Sequence, residues 1–219
     1  MDEAFWASRW EDIRIGVQRD TVHPSLVDYA ERLGGWPGTV FVPLAGKTVD
    51  LRWLAEHGCS VIAIERVLKA VEDFFAEQEL SFDRSSDGAL ELYRAKDLPI
   101  SFYRGDVFEL RAPHLSAVTW VHDRAALVAL PPESRERYGR HLSSILPPHA
   151  ELLVTTFEYS QHEMEGPPFS VPEAEVTERF DSYGFELWRS RSVLPSSQRF
   201  RERGLTAMDE HVLHGVRKT

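Results

Sequence analysis

A loop with a single glycine, set between an apolar run and a helical pattern, is the first stretch whose residue types suggest chemistry. It reads Pro43-Leu44-Ala45-Gly46-Lys47-Thr48. Open parallel α/β sheets bind ligands in such loops, at the carboxyl ends of their strands. One glycine is too few for the G-x-G-x-x-G turn that cradles a pyrophosphate. Gly46-Lys47-Thr48 resembles the end of a G-x-x-x-x-G-K-[ST] phosphate loop, but the required first glycine is replaced by Phe41. A nucleoside triphosphate is therefore not the expected ligand. Nineteen residues after Gly46, Glu65 closes a second apolar run. A carboxylate there can accept both hydroxyls of a ribose. A ligand with a ribose but no diphosphate suits this pair, and S-adenosylmethionine (AdoMet) is such a ligand. The other reading of Glu65 is a solvated acid at a strand end. Asp106 and Val107, after a third run, would flank an adenine, although Gly105-Asp106 also reads as an ordinary turn.

These residues need a scaffold, and the sequence describes one. Short β-rich runs alternate with helical segments, the pattern of βαβ units. Strands are expected over 39–44, 60–64, 100–103, 117–121, 151–156, 185–190 and 210–216. Helices are expected over 49–56, 67–77, 133–144 and 172–183. The resulting fold class is α/β: a Rossmann-like, seven-stranded, mainly parallel sheet with helices on both faces and an antiparallel last strand. Nicotinamide-binding Rossmann domains use six parallel strands instead. One domain is expected over residues 1–219, with a helical N-terminal lid (1–35) and the Rossmann-like core (36–219). The polar stretch 81–97 carries the turn signal Ser85-Ser86-Asp87-Gly88 and reads as a surface hairpin.

Bulk properties narrow the partners. The chain has 219 residues and a formal charge of −10, with acidic and basic residues interspersed. A phosphate-backbone binder needs a basic face, so no nucleic-acid partner is expected. Cys59 is the single cysteine, so no intrachain disulfide can form, which favours a reducing compartment. No apolar stretch approaches the roughly 18–20 residues of a membrane span, and no signal-peptide pattern is present. The expectation is a cytoplasmic monomer with no membrane partner. The nine histidines are scattered. His211 and His214 lie three apart on an expected strand and so point to opposite faces; no metal site is expected.

Several blocks are more specific than any single motif. They are Phe5-Trp6-Ala7-Ser8-Arg9-Trp10, Val40 through Asp50, Trp53-Leu54-Ala55-Glu56-His57-Gly58, Asp123-Arg124-Ala125-Ala126-Leu127 and Gly166-Pro167-Pro168-Phe169. With them the chain resembles the thiopurine S-methyltransferase family in its bacterial form, over nearly its full length. The resemblance implies an AdoMet-dependent methyltransferase that releases S-adenosylhomocysteine (AdoHcy). It assigns Trp10, Leu44, Glu65, Asp106, Val107 and Arg124 to the cofactor. It assigns Val17, Arg124, Phe169 and Arg199 to the acceptor, with Pro167 and Pro168 beside Phe169. Other readings stay open. Trp6 and Trp10 fit the apolar stripe of an amphipathic helix, Asp123-Arg124 fits an exposed ion pair, and Arg199 fits a basic face with Arg191, Arg201 and Arg203.

Two positions depart from the family pattern. Ala45 stands where the family usually has cysteine. Ile15-Gly16-Val17-Gln18 stands where it shows an aromatic followed by histidine, which removes a stacking surface for a flat heterocycle. The expected acceptors are thiopurines, other small aromatic or heterocyclic thiols, and selenium or tellurium compounds. Methyl transfer from a sulfonium depends mostly on positioning. Arg124 would favour an anionic acceptor by its charge; Asp20 is a candidate proton acceptor. The alternative is a diverged AdoMet-binding protein whose acceptor specificity is lost or altered.

Overall fold

The structure is a computed structural model that describes residues 21–33, 35 and 38–218. The chain divides into two compact units, Met1–Val121 and His122–Thr219. The boundary falls inside one strand.

The described part of the first unit begins near helix α1 (Pro24–Leu33). Leu26 and Tyr29 of this helix are buried, and the backbone N–H of His23 donates to Asp50 Oδ1 at 2.9 Å. The segment expected as part of a lid is thus anchored in the core at its described end. Strand β1 (Thr39–Val42), helix α2 (Asp50–Glu56), strand β2 (Ser60–Glu65) and helix α3 (Leu68–Glu77) follow. Then come β3 (Phe82–Asp87), β4 (Leu90–Ala95), β5 (Ile100–Arg104) and most of β6 (Val118–Asp123). Val40, Phe41, Val61, Ala63 and Ile64 are at most 1% exposed, as expected of strands covered on both faces. Four strands are joined in parallel: β1 pairs with β2 and with β6, and β2 pairs with β5. This register sets Glu65 opposite Arg104, so the ends of β2 and β5 arrive at one level.

The hairpin expected over 81–97 is present, but it is not separate from the sheet. β3 pairs antiparallel with β4, and β4 pairs antiparallel with β5 through Tyr93 opposite Phe102. Among the described residues the sheet therefore has nine strands, not seven. The reason lies in β4, whose Leu90, Leu92, Tyr93 and Ala95 are buried. Tyr93 lies 6.2 Å from Phe75, and Phe75 in turn packs beside Phe74 and Phe102. β3 is exposed along its whole length, which is why the segment reads as polar.

The second unit holds the end of β6, a short helix α4 (Ala126–Ala129), α5 (Pro132–Ile145), β7 (Glu151–Glu158), α6 (Glu173–Arg179), β8 (Tyr183–Ser192), α7 (Gln198–Glu202) and β9 (Asp209–Arg217). β9 pairs antiparallel with both β7 and β8, which forms the expected closing hairpin. The helix expected over 172–183 stops at Arg179, and β8 begins at Tyr183. Phe180 and Tyr183 are both fully buried and meet edge to face at 6.4 Å, a packing that turns the chain out of the helix early. Among the described residues no helix is long and apolar enough to cross a membrane.

Candidate functional site

In the first unit, the loop after β1 is built around Glu65. Leu44 adopts a left-handed backbone (φ 45°), and so does Gly46 (φ 57°). For a leucine this conformation costs about 1–2 kcal/mol, so the loop must be held by its surroundings. The backbone N–H of Ala45 donates to Ile64 O at 2.9 Å, and that of Gly46 donates to Glu65 Oε2 at 3.0 Å. Glu65 Oε1 also accepts from the N–H groups of Arg66 (2.7 Å) and Val67 (3.0 Å). Burial pushes the Glu65 carboxyl up, against the lowering effect of these three donors. A carboxylate offers about four lone-pair positions. Among the described residues three N–H donors use these positions, two on Oε1 and one on Oε2. Lys47, the would-be phosphate-loop lysine, is paired with Glu77.

The backbone of Gly105 donates to Glu65 O at 3.0 Å, which brings Asp106 alongside. Asp106 caps the turn Val107–Glu109 by accepting from Phe108 N at 3.1 Å, and its Oδ2 lies 3.5 Å from Arg66 Nη1. Val107 is buried. The first unit thus gathers Leu44, Gly46, Glu65, Asp106 and Val107 at the carboxyl ends of β1, β2 and β5. Trp10, Val17 and Asp20 lie outside the described residues.

In the second unit, Asp123 ends β6 with no exposed surface. Its Oδ1 accepts from the N–H groups of Ala126 and Leu127, each at 3.1 Å, and its Oδ2 accepts from the Tyr138 hydroxyl at 2.8 Å. Burial raises the Asp123 carboxyl and raises the Tyr138 phenol well above its usual value, the latter also through the Asp123 charge. An exposed Asp123-Arg124 ion pair is therefore excluded: the aspartate is a buried cap that shapes the turn carrying the half-buried Arg124.

The loop 166–169 is held from several sides. Phe169 N–H donates to Val128 O at 2.7 Å, and the Tyr159 hydroxyl donates to Pro168 O at 2.6 Å. The N–H of Ser170 donates to Gln161 Oε1 at 3.0 Å, and Arg203 Nη1 makes a long contact to Pro167 O at 3.5 Å. At Gly166 (φ +81°) an added Cβ would lie 2.7 Å from the Phe169 ring, so only glycine leaves that ring its place. The Arg135 guanidinium stands 5.7 Å from the centroid of the Phe169 ring. Arg199, on α7, is exposed and packs its guanidinium 5.9 Å from Phe200.

Arg135, Tyr138, Tyr159 and Glu175 were not singled out from the sequence. The signal available was the i, i+3 spacing of Arg135 and Tyr138, which puts both on one helix face; nothing local marked that face as buried. Among the described residues no cluster of three or more His, Cys, Asp or Glu is placed to hold a metal.

Solved methyltransferases share this fold. A Burkholderia thailandensis 1,6-didemethyltoxoflavin-N1-methyltransferase, with 1,6-didemethyltoxoflavin and S-adenosylhomocysteine bound, superposes with a TM-score of 0.63 at 17% identity, over 99% of this chain and 87% of that one. The glycopeptide N-methyltransferase MtfA gives a TM-score of 0.56 at 14% identity, over 89% of each chain. The fold is the Rossmann-like one of these methyltransferases. Sequence relationship is more specific. The profile described as thiopurine S-methyltransferase matches residues 1–218. A thiopurine S-methyltransferase of Pseudomonas paraeruginosa is 42% identical over 214 residues, covering 97% of both chains. One from Shewanella loihica is 40% identical over 220 residues, covering both in full. The chain belongs to the thiopurine S-methyltransferase family.

Proposed function

We propose that this chain S-methylates a small thiol: a thiopurine, another aromatic or heterocyclic thiol, or a selenium or tellurium analogue. The observation that carries the reading is the family match over residues 1–218, which spans both units and favours one working domain. The described residues fit AdoMet. With one donor on it among the described residues, Glu65 Oε2 keeps an acceptor position beside a loop that has no phosphate cradle. In this assignment Glu65 takes a ribose hydroxyl, Asp106 and Val107 flank the adenine, and Leu44, Trp10 and Arg124 complete the cofactor contacts. When bound, AdoMet supplies an electrophilic methyl carbon.

The acceptor side is assigned to Val17, Arg124, Phe169 and Arg199. Arg124 favours the acceptor anion by charge, and Phe169 offers a ring face to a flat heterocycle. Asp20 receives the thiol proton where the acceptor is not already ionised. The net charge of −10 supports small-molecule acceptors rather than nucleic acid, and a cytoplasmic monomer is the proposed working form.

Labelled AdoMet offered with a panel of thiopurines, thiophenols and selenium or tellurium acceptors tests this directly, with AdoHcy binding measured by calorimetry alongside. Transfer of label to at least one of these acceptors is expected. AdoHcy binding with no turnover across the panel would replace this reading by that of a diverged AdoMet-binding protein, the alternative that Val17 and Gln18 motivate.

A further inference from the structure

Arg135 is buried, with 4% of its side chain exposed, and every part of its guanidinium is engaged. Nε donates to Glu175 Oε1 at 2.7 Å, Nη2 donates to Glu175 Oε2 at 3.2 Å, and Nη1 donates to Leu130 O at 2.9 Å. The Phe169 ring lies 5.7 Å away. Burying such an ion pair seldom adds stability over apolar packing, because desolvation offsets the attraction. Its effect is instead to fix geometry. The planar fork, held along one edge by the Glu175 carboxylate and at Nη1 by Leu130 O, leaves its plane no freedom to rotate. The backbone of the 166–169 loop does not depend on it, being held by Val128 O, Tyr159 and Gln161. The contact that Arg135 contributes to this loop is to the ring.

We propose that Arg135, locked by Glu175, is a positioning residue for the acceptor: it sets the plane of the Phe169 ring against which the acceptor heterocycle packs. This rests on the assignment of Phe169 to the acceptor site. An arginine is required, because a lysine ammonium in the same place keeps the charge but has neither the fork nor the flat face. Glu175 acts one step further back, by holding the fork.

The test compares Arg135→Lys, Glu175→Gln, Phe169→Leu and the double variant Arg135→Lys/Phe169→Leu. Mercaptopurine and thiophenol are titrated into each AdoHcy complex by calorimetry, and KM and kcat are measured with the same compounds. Arg135→Lys is expected to raise acceptor Kd and KM about tenfold while AdoHcy Kd and kcat change less than about twofold. In the Phe169→Leu background the same substitution is expected to add no further loss, since the ring it acts through is gone. If Arg135→Lys does not fold, Glu175→Gln carries the same prediction with a smaller shift. Equal losses of AdoHcy and acceptor binding would overturn the proposal and make Arg135 purely structural. Unchanged acceptor constants in Arg135→Lys, where Phe169→Leu raises them, would also overturn it while leaving the acceptor-site assignment intact. Unchanged constants in Phe169→Leu, or no binding of either compound to the unsubstituted protein, would instead remove that assignment.

Discussion

The backbone N–H of Gly46 donates to Glu65 Oε2 at 3.0 Å, so the residue proposed to hold the ribose also holds the loop proposed to approach the cofactor. Removing the carboxylate frees the turn in which Leu44 is strained and leaves three N–H groups, two of them buried, without this acceptor. Each charge-assisted bond of this kind contributes about 1.5–3 kcal/mol. Glu65→Ala should therefore weaken AdoHcy binding on the order of 10- to 100-fold and lower Tm as well. Unchanged affinity by calorimetry would place the ribose elsewhere.

Acid should weaken cofactor binding at a higher pH than an ordinary glutamate would allow. Burial raises the Glu65 carboxyl, and the protonated form has fewer lone pairs for the donors around it. The linked stability change has the opposite sign. The folded-state pKa values of Glu65 and Asp123 are both raised, so their contribution is fully present below the unfolded-state values and is lost as pH rises through the folded-state values. Denaturation midpoints measured from the ordinary carboxylate range to neutrality should thus have different slopes in Glu65→Gln and Asp123→Asn. In each variant this acid-side gain disappears. Parallel profiles for variant and parent would contradict it.

Tyr138→Phe removes one hydroxyl and leaves Asp123 Oδ2 buried without that donor. The cost of such an unmet buried group is about 1–3 kcal/mol. Circular dichroism melts should show the loss, which at this chain length is about 2–4 °C per kcal/mol. Retention of the parent Tm would mean that the Asp123 carboxylate finds another partner.

Gly139 lies on α5, where alanine is ordinarily preferred to glycine by about 1 kcal/mol. Here an added Cβ would come within 2.2 Å of Arg179 O and 2.8 Å of Arg179 C, both rigid backbone at the end of α6. Gly139→Ala is expected to destabilise by about 1–3 kcal/mol, the range for overpacked sites. A rise in the denaturation midpoint would show that the two helices are free to separate.

Cys59 is fully buried, and its thiol is pushed up to about 11. The thiolate is the reactive form. The folded protein should not react with a disulfide reagent such as dithiobisnitrobenzoate at pH near 8, and the denatured chain should release one equivalent. Rapid labelling of the folded protein would show that this end of β2 opens to solvent.

Much of this architecture was legible before any coordinates. The apolar runs at 39–44, 60–64 and 151–156 became β1, β2 and β7 with shifts of two residues or fewer, because burial on both faces demands an uninterrupted apolar run. That Gly46 and Glu65 reach one sheet edge was legible as a spacing, since a βαβ unit returns the chain there, but the bond between them was not. The β3–β4 hairpin was read correctly as a hairpin. Its place in the sheet was not legible, because half of it is exposed and the other half is buried by Phe75 and Phe102 from elsewhere in the chain.

The sequence alone determined the fold class, the family, the absence of a phosphate loop and the positions of Glu65 and Asp106 at strand ends. These follow from local periodicity, residue spacing and blocks that resemble one family, all of which are properties of the chain before it folds. Tertiary structure alone decided how polar groups are satisfied. It made Asp123 a buried cap bound to Tyr138, which removes the alternative of an exposed ion pair with Arg124, and it gave the Glu65 carboxylate three backbone N–H donors. It also placed Arg135 under the Phe169 ring with Glu175, forty residues distant, as its clamp. A buried donor takes whichever acceptor the packing delivers, and that choice is made by chain segments that share no local pattern.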